Sequence, residues 1–227
     1  KNIISNEEID LKKYMTSIKQ NCYRLLRLVN NIIDMNKIDY GYYDIELGNY
    51  NIVSVVEDIT MSVLEYIKNK GIELIFDTDT EEEIIACDPD KIERIILNLL
   101  SNAIKYTRPD GKIIVNINSD KENVYISVKD TGIGMPKQKL NKIFNRYEQI
   151  DNKLTKSFNG SGIGLSLVKS LVEMHKGKIT VESKENEGSK FTITLPKKRI
   201  NNEHIKNTNL TKSRVEKCNI EFSDIYN

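Results

Sequence analysis

The chain has 227 residues, of which 39% are hydrophobic and 30% are charged, and its formal net charge is +1. This composition is typical of a globular protein with one large or two small domains, and the near-neutral charge argues against nucleic acid as the main partner. No apolar run is long enough to span a bilayer and the polar start does not resemble a secretory leader, so we expect no membrane contact in this fragment.

Cysteine and histidine are scarce. Cys22, Cys87 and Cys218 are odd in number, widely separated and form no Cys-x-x-Cys pair. We therefore expect reduced thiols in the cytoplasm rather than disulfides or a zinc site. Only two histidines occur, His175 and His204.

A long amphipathic helix is predicted over residues 6–38, with Ser5 and Glu8 as a capping box and Gly41 after its end. Its apolar residues recur at alternating spacings of four and three, a pattern we call the heptad seam: Leu11, Met15, Ile18, Cys22, Leu25, Val29 and Ile32. A helix of this kind must bury its seam against another helix. We expect a homodimer through the 6–38 helix; packing on the chain's own domain is the alternative.

The next elements are predicted to be short. The alternating pattern of residues 42–47 indicates a strand, and apolar residues at helical spacing indicate a helix over 51–69 that ends at Gly71. Strands are predicted over 72–77 and 84–87.

A second major helix is predicted over residues 89–106, because Asp88 is a good N-cap and Pro89 suits the first turn. One ridge of this helix is polar: Asn98, Asn102, Lys105 and Tyr106. Carboxamide oxygens suit a hard cation such as Mg²⁺, and an ammonium suits phosphate. A solvated surface stripe is the alternative interpretation of this ridge.

Two glycine turns punctuate the rest of the chain, at Asp130–Met135 and Gly160–Leu165. Glycine lets a ligand approach backbone amides closely, and amides at a turn or a helix start can bind phosphate. The first turn follows a hairpin predicted over 112–119 and 123–130, which places Asp130 at a strand end.

The segment between the two glycine turns, residues 136–159, is predicted to be a lid with a short helix over 140–144. The second turn opens a helix that Gly177 ends, and strands over 178–182 and 190–195 form a final hairpin. The polar tail that follows is expected to be disordered or loosely docked through three apolar residues: Ile220, Phe222 and Ile225.

Together these segments resemble sensor histidine kinases in order and spacing over about residues 45–196. The matching segments are an N box at Asn98–Thr107, a G1 box at Asp130–Gly134, an F box at Ile143–Tyr147, a G2 box at Gly160–Leu165 and a closing strand at Gly188–Pro196. The resemblance implies the Bergerat ATP-binding fold, an α+β two-layer sandwich with a mixed sheet, preceded here by one long helix of a helical bundle. DNA gyrase B, the MutL repair protein and a heat-shock chaperone share this fold.

The resemblance also implies roles for individual residues. Asp130 would accept a hydrogen bond from the adenine amino group, Asn102 would ligate Mg²⁺, Asn98 would lie near the metal and phosphates, and Lys105 and Tyr106 would contact phosphate. Asn98, Asn102 and Lys105 would be the catalytic group. The remaining nucleotide contacts would come from Gly132, Ile133, Gly134, Gly160, Ser161, Gly162, Ile163, Gly164, Leu165 and Ser189.

Two positions carry a residue that bears on the chemistry. Hydrolytic relatives of this fold have a glutamate where Asn98 stands, and a carboxamide cannot take a proton from water, so we expect little ATP hydrolysis. Many family members have an arginine near the end of the F box that reaches the γ-phosphate; Gln149 occupies that place. Arg146 or Lys156 could substitute for it.

The phosphoryl acceptor is missing from the predicted elements. In the family a histidine on the first bundle helix accepts the phosphoryl group, and the 6–38 helix resembles the second, which has none. His175 matches a Met-His-Lys-Gly helix ending and is interpreted as a cap at the helix dipole, whereas His204 lies in the tail. We therefore divide the chain into a partial dimerisation helix (1–41), a catalytic domain (42–197) and a tail (198–227).

These observations predict the ATP-binding catalytic part of a cytoplasmic sensor kinase that uses ATP and Mg²⁺, with an upstream, membrane-tethered input domain. Its γ-phosphate would pass to a histidine on an absent helix and then to a response regulator. Two alternatives remain: a protein serine kinase of the anti-sigma type, and a nucleotide-binding interaction module without transfer.

Overall fold

The structure is a computed structural model that describes residues 6–148, 162–201, 204–206 and 214–223. The elements in chain order are α1 (Asn6–Asp39), β1 (Gly48–Asn51), α2 (Ile52–Ser62), α3 (Leu64–Lys68), β2 (Glu73–Thr78), β3 (Ile84–Cys87), α4 (Pro89–Tyr106), β4 (Lys112–Ser119), β5 (Asn123–Asp130), a 3₁₀ turn (Lys137–Lys139), α5 (Gly164–Met174), β6 (Lys178–Lys184), β7 (Gly188–Pro196) and α6 (Arg214–Glu221).

The main sheet has five strands in the order β2-β4-β5-β7-β6. β2 and β4 are parallel, and the other neighbouring pairs are antiparallel. β1 and β3 form a separate antiparallel pair. The predicted α+β architecture with a mixed sheet is therefore confirmed.

The core lies between this sheet and helices α2, α4 and α5. The inward residues of β4 and β5 alternate with outward polar ones, and their apolar side chains are fully buried against the apolar faces of the helices. Such burial contributes about 25 cal/mol per Å² of apolar surface and is the main stabilising term for a layered fold. α4 is the central helix of this layer, because residues on all of its sides are buried.

The start of α4 is held by its predicted cap and by a contact that is remote in sequence. The Asp88 carboxylate accepts hydrogen bonds from the Asp90 and Lys91 amides at 3.1 and 3.3 Å. The Asp88 amide donates to Nε2 of His175, at 3.1 Å. Nδ1 of His175 in turn lies 2.7 Å from the Leu171 carbonyl, so the ring is neutral and links the end of α5 to the start of α4. Burial lowers the pKa of His175, so this cap does not act as a cation at the helix dipole.

Three predicted elements differ in the structure. Residues 42–47 form no strand. The strand β1 begins immediately after them, at Gly48, because its residues pair with β3. The helix predicted over 51–69 is divided into α2 and α3 at Val63, whose φ of −99° and ψ of 1° leave the helical region. Residues 140–144 form turns after the 3₁₀ turn rather than a helix.

Helix α1 matches its predicted length, and its heptad seam faces solvent. Leu25 is 62% exposed and Ile32 is 44% exposed. The other side of α1 packs on the domain that follows it, where Arg94 of α4 donates to the Asn31 side chain at 2.9 Å and pairs with Asp34. The seam is thus free to pair with another helix, and the homodimer stays a prediction. Ser5 of the predicted capping box lies outside the described residues.

The described part of the tail is ordered. α6 packs against α1, α4 and α2, and Phe222 is completely buried. Phe222 therefore docks as expected, whereas Ile220 is only half-buried. Ile225 lies outside the described residues. None of the helices among the described residues is long and apolar enough to cross a bilayer.

Folding stability should depend on pH through His175. Its pKa is lowered from 6.5 by burial, so below pH 6.5 the unfolded chain takes up a proton that the folded chain does not. The free energy of unfolding should therefore fall as the pH drops through this range. Urea unfolding above and below pH 6.5 measures the effect.

The matched comparison for this experiment is His175→Gln, which keeps a polar side chain but cannot titrate. Its stability should be lower at neutral pH, and the gap to the natural protein should narrow in acid. A gap that stays constant with pH would show that His175 is not held neutral.

Candidate functional site

Asp130 is a buried carboxylate at the end of β5. Its Oδ1 accepts a hydrogen bond from the Gly132 amide at 2.8 Å, and the carboxylate also accepts one from the Ser189 amide across the sheet. Burial raises the pKa of Asp130 to about 6, against these two hydrogen bonds, which lower it. A buried carboxylate with acceptor capacity left over is suited to a ligand that donates a hydrogen bond.

The first glycine turn joins Asp130 to the end of α4. The Ile133 amide donates to the Tyr106 carbonyl at 3.2 Å. A side chain at Gly132 would collide with the same Tyr106 carbonyl, and one at Gly134, where φ is +61°, would collide with the Lys184 carbonyl. Glycine is therefore required at both positions by close backbone contact and, at Gly134, by conformation as well.

The polar ridge of α4 is not a solvated stripe. Asn98 and Lys105 are each 7% exposed, and Asn102 and Tyr106 are half-buried. The Lys105 ammonium lies 5.2 Å from the centre of the Tyr106 ring. Carboxamides and an ammonium held in this way are arranged for a ligand rather than for water.

The second glycine turn brings the start of α5 against that ridge. A Cβ added to Gly164 would lie 2.9 Å from the Asn98 carboxamide. Ile163 is buried and its carbonyl accepts from the Ser166 hydroxyl at 2.8 Å, while Leu165 is half-buried. The first turn of α5 therefore lies beside Asn98, which is the placement expected of a phosphate-binding helix start. Gly160 and Ser161 lie outside the described residues.

The described part of the predicted lid, residues 136–148, packs on the domain. Phe144 makes an edge-to-face contact with Phe191 of β7, with ring centres 6.4 Å apart. The Tyr147 amide donates to the Gly162 carbonyl at 2.9 Å, and Gly162 has a φ of +69°. The F-box segment and the second glycine turn therefore hold each other.

Arg146 does not point to the polar ridge. Its guanidinium forms a two-pronged salt bridge with Asp39 at the end of α1, with Nη1 2.6 Å from Oδ2. Of the predicted substitutes for the F-box arginine, Arg146 is thus engaged with α1. Lys156 and Gln149 itself lie outside the described residues.

Ser189, a predicted nucleotide contact, lies next to Asp130 in the sheet. It is paired with Asp130 across β5 and β7, and its hydroxyl is 3.0 Å from that of Ser183. The Ser183 hydroxyl also accepts from the Met135 amide at 2.8 Å. This small hydroxyl cluster supports the first glycine turn from the far side.

Sequence reasoning missed two arginines of α1. Burial lowers the pKa of Lys105, and the charges of Arg27 and Arg24 act in the same direction, which brings it to about 8. About 80 residues separate them from Lys105, and no local pattern shows that helices so far apart will be neighbours. These charges add to that of Lys105, which lies on the same ridge of α4 as Asn98 and Asn102.

A metal would need ligands from the bound molecule. Among the described residues no group of three or more histidine, cysteine, aspartate or glutamate side chains could hold an ion. Asn102 supplies one neutral oxygen, which fits Mg²⁺ only in the common arrangement in which phosphates and water complete the shell.

The comparisons with known proteins agree with this geometry. The family described as "Histidine kinase-, DNA gyrase B-, and HSP90-like ATPase" matches residues 87–199. "Histidine kinase P4" of Formosa agariphila is 35% identical over 187 residues, which is 81% of this chain and 14% of that protein. "Sensor histidine kinase WalK" of Bacillus subtilis is 32% identical over 197 residues, which is 85% of this chain and 32% of that protein.

Solved structures give the same result. The catalytic domain of histidine kinase ThkA has a TM-score of 0.61 and 28% identity, covering 68% of this chain and 99% of that one. ThkA in complex with the response regulator protein TrrA has a TM-score of 0.66 and 27% identity, covering 82% of this chain and 51% of that one. The chain therefore covers nearly all of the ThkA catalytic domain but a third or less of these curated relatives.

Proposed function

Because the chain belongs, through residues 87–199, to the histidine kinase-, DNA gyrase B- and HSP90-like ATPase family, we propose that it is the catalytic part of a two-component sensor histidine kinase. It binds ATP and transfers the γ-phosphate to a histidine on a bundle helix that this chain does not contain. The observation that carries the proposal is that Asp130, the α4 ridge and the start of α5 meet around one end of α4.

Different residues of the site bind different parts of the nucleotide. Asp130 accepts a hydrogen bond from the adenine amino group, which distinguishes adenine from bases that lack a donor there. Lys105, Tyr106 and the amides at the start of α5 hold the phosphates. Asn102 holds Mg²⁺, which neutralises charge on the transferring phosphoryl group. Phosphoryl transfer depends mainly on such positioning and charge neutralisation.

Asn98 cannot activate a water molecule to attack ATP. Its carboxamide is buried against Gly164 and, unlike a carboxylate, cannot serve as a general base. ATP is therefore kept for a protein acceptor instead of being hydrolysed.

The partners follow from this role. The chain acts as a homodimer through the heptad seam of α1 and passes its phosphoryl group, by way of the histidine, to a response regulator in the cytoplasm. ThkA, a structural relative, is seen in complex with such a regulator.

Phosphoryl transfer can be tested by adding a histidine-bearing bundle helix that pairs with α1, together with Mg²⁺ and ATP labelled at the γ-phosphate. We expect acid-labile label on the helix and little free phosphate, because Asn98 cannot activate water. The helix with its histidine replaced by alanine is the control.

Other outcomes of this experiment identify the alternatives. Acid-stable label would indicate a serine kinase, and nucleotide binding without any label transfer would indicate an interaction module. Fast release of free phosphate would contradict the role given to Asn98.

Replacing the base-reading carboxylate gives a second prediction. Asp130→Asn should weaken ATP binding by about 1–3 kcal/mol, because an amino donor of the ligand loses its acceptor in a buried site. This corresponds to roughly 5- to 150-fold in Kd, measured by calorimetric titration. Asp44→Asn, which removes the same charge at an exposed position, should leave the Kd unchanged; equal Kd values for all three proteins would contradict the assignment.

Nucleotide affinity should be greatest between about pH 6 and pH 8. The pKa of Asp130 is raised to about 6, so acid protonates the adenine acceptor. The pKa of Lys105 is lowered to about 8, so alkali removes a charge that binds phosphate. Titrations across this range should show Asp130→Asn losing the acid limb and Lys105→Met losing the alkaline limb. Identical profiles in the natural protein and both variants would overturn the prediction.

A further inference from the structure

The ordered end of the tail, residues 214–223, lies where three helices meet, and we call it the C-terminal clasp. It begins after the last residue matched by the ATPase family, residue 199, and it contacts α1, α2 and α4. It therefore joins the long N-terminal helix to the catalytic domain.

The clasp is anchored to the catalytic domain by apolar burial. Phe222 is fully buried, and its ring centre lies 5.0 Å from that of Tyr66. The Tyr66 hydroxyl donates to the Asn219 side chain at 3.0 Å. Cys218 is also buried, with its Sγ 3.7 Å from the Ser62 hydroxyl.

An ion pair ties the clasp to α4. Lys217 Nζ lies 2.8 Å from Asp90 and 2.5 Å from the buried Glu93 carboxylate. These acids stand in the first turns of the helix that also carries Asn98 and Lys105. A pair with one fully buried member fixes orientation more strictly than an exposed pair does.

One backbone oxygen of the clasp connects α1 with α4. The Glu221 carbonyl accepts hydrogen bonds from Arg27 of α1 at 2.7 Å and from the Ser101 hydroxyl of α4 at 3.0 Å. Arg27 is also the arginine whose charge reaches Lys105. Detaching the clasp therefore removes a bond that holds α1 beside the polar ridge.

The docked state carries a free-energy cost at Glu221. The Glu221 side chain is buried, and its Oε2 has no hydrogen-bond partner among the described residues. Burying a carboxyl group without a full set of hydrogen bonds is unfavourable, so part of the free energy gained by burying Phe222 is offset.

The docked state also holds α1 in an orientation that separates its seam from the nucleotide. Asn31 and Arg27 face the catalytic domain, whereas the seam residues Leu25 and Ile32 face solvent. A helix paired with the seam would lie on the far side of α1, about one helix diameter of roughly 10 Å from α4.

We propose that the C-terminal clasp is an autoinhibitory device that fastens α1 to α4 and must detach before a helix paired with α1 can receive the phosphoryl group. The direction of this regulation rests on the function proposed above. The fastening itself does not, and it can be measured separately.

The natural cysteines report on the fastening. Cys22 is exposed, Cys218 is buried where the clasp packs on the domain, and Cys87 is buried at the end of β3. Thiol modification of the whole chain, followed by peptide mass spectrometry, gives the rate at each site. We expect Cys218 to react slowly and Cys87 slowest, whereas Cys22 lies in the heptad seam and should react fast only in the monomer.

Two substitutions should release the clasp. Phe222→Ala should speed modification of Cys218 by at least about tenfold, because it removes the main buried anchor and shifts a local opening equilibrium. Arg27→Ala should speed it as well, although Arg27 lies on α1. The matched controls, exposed Glu216→Ala on α6 and exposed Lys13→Ala on α1, should not. Cys87 must stay slow, which shows that the domain remains folded.

The regulatory part is read from the rate of phosphoryl transfer to an added histidine-bearing helix. Phe222→Ala should raise this rate when it is measured at saturating ATP. Unchanged Cys218 reactivity in Arg27→Ala would overturn the fastening of α1, and an unchanged or lower transfer rate in Phe222→Ala would overturn autoinhibition. If no variant transfers a phosphoryl group but the cysteines react as expected, the kinase function and its proposed regulation are both rejected. The contact between the clasp and α1 would still be supported.

Discussion

The concentration of positive charge beside the C-terminal half of α4 is the constraint on which the rest of the site depends. Lys105 is buried, and two arginines of α1 act on it, so its pKa falls to about 8. Burying and crowding cations is unfavourable. The phosphates of the proposed nucleotide would offset this cost.

The two glycine turns place backbone amides around that charge. Gly132 brings the first turn against the Tyr106 carbonyl, and Gly164 brings the start of α5 against Asn98. Side chains at these positions would push the turns away from α4. α4 thus carries the polar ridge and also contacts both glycine turns. A substitution in either turn would therefore change the surroundings of the ridge.

The docking of α1 gives this catalytic domain a defined relation to its bundle helix. Arg94 and Arg146 bind the C-terminal half of α1 through Asn31, Asp34 and Asp39. Met35 of α1 is also buried in the hydrophobic core, so polar contacts and apolar packing together hold α1. The clasp adds a further fully buried side chain, Phe222.

Sequence by itself determined the elements whose causes are local. Asp88 and Pro89 start α4, and strict alternation bounds the hairpin at 112–119 and 123–130, both as predicted. The candidate site was also readable, since its residues lie in short motifs: Asp130, the ridge of α4 and the glycine turns. Only the tertiary structure decided the rest. β1 begins at Gly48, directly after the predicted strand, because pairing with β3 sets its position. The pKa values of Asp130 and Lys105 depend on burial. Where α1, α4 and the clasp meet, residues 27, 101 and 221 are joined by hydrogen bonds. Contacts between residues so far apart in sequence arise from the packing of whole elements, and no local sequence pattern encodes them.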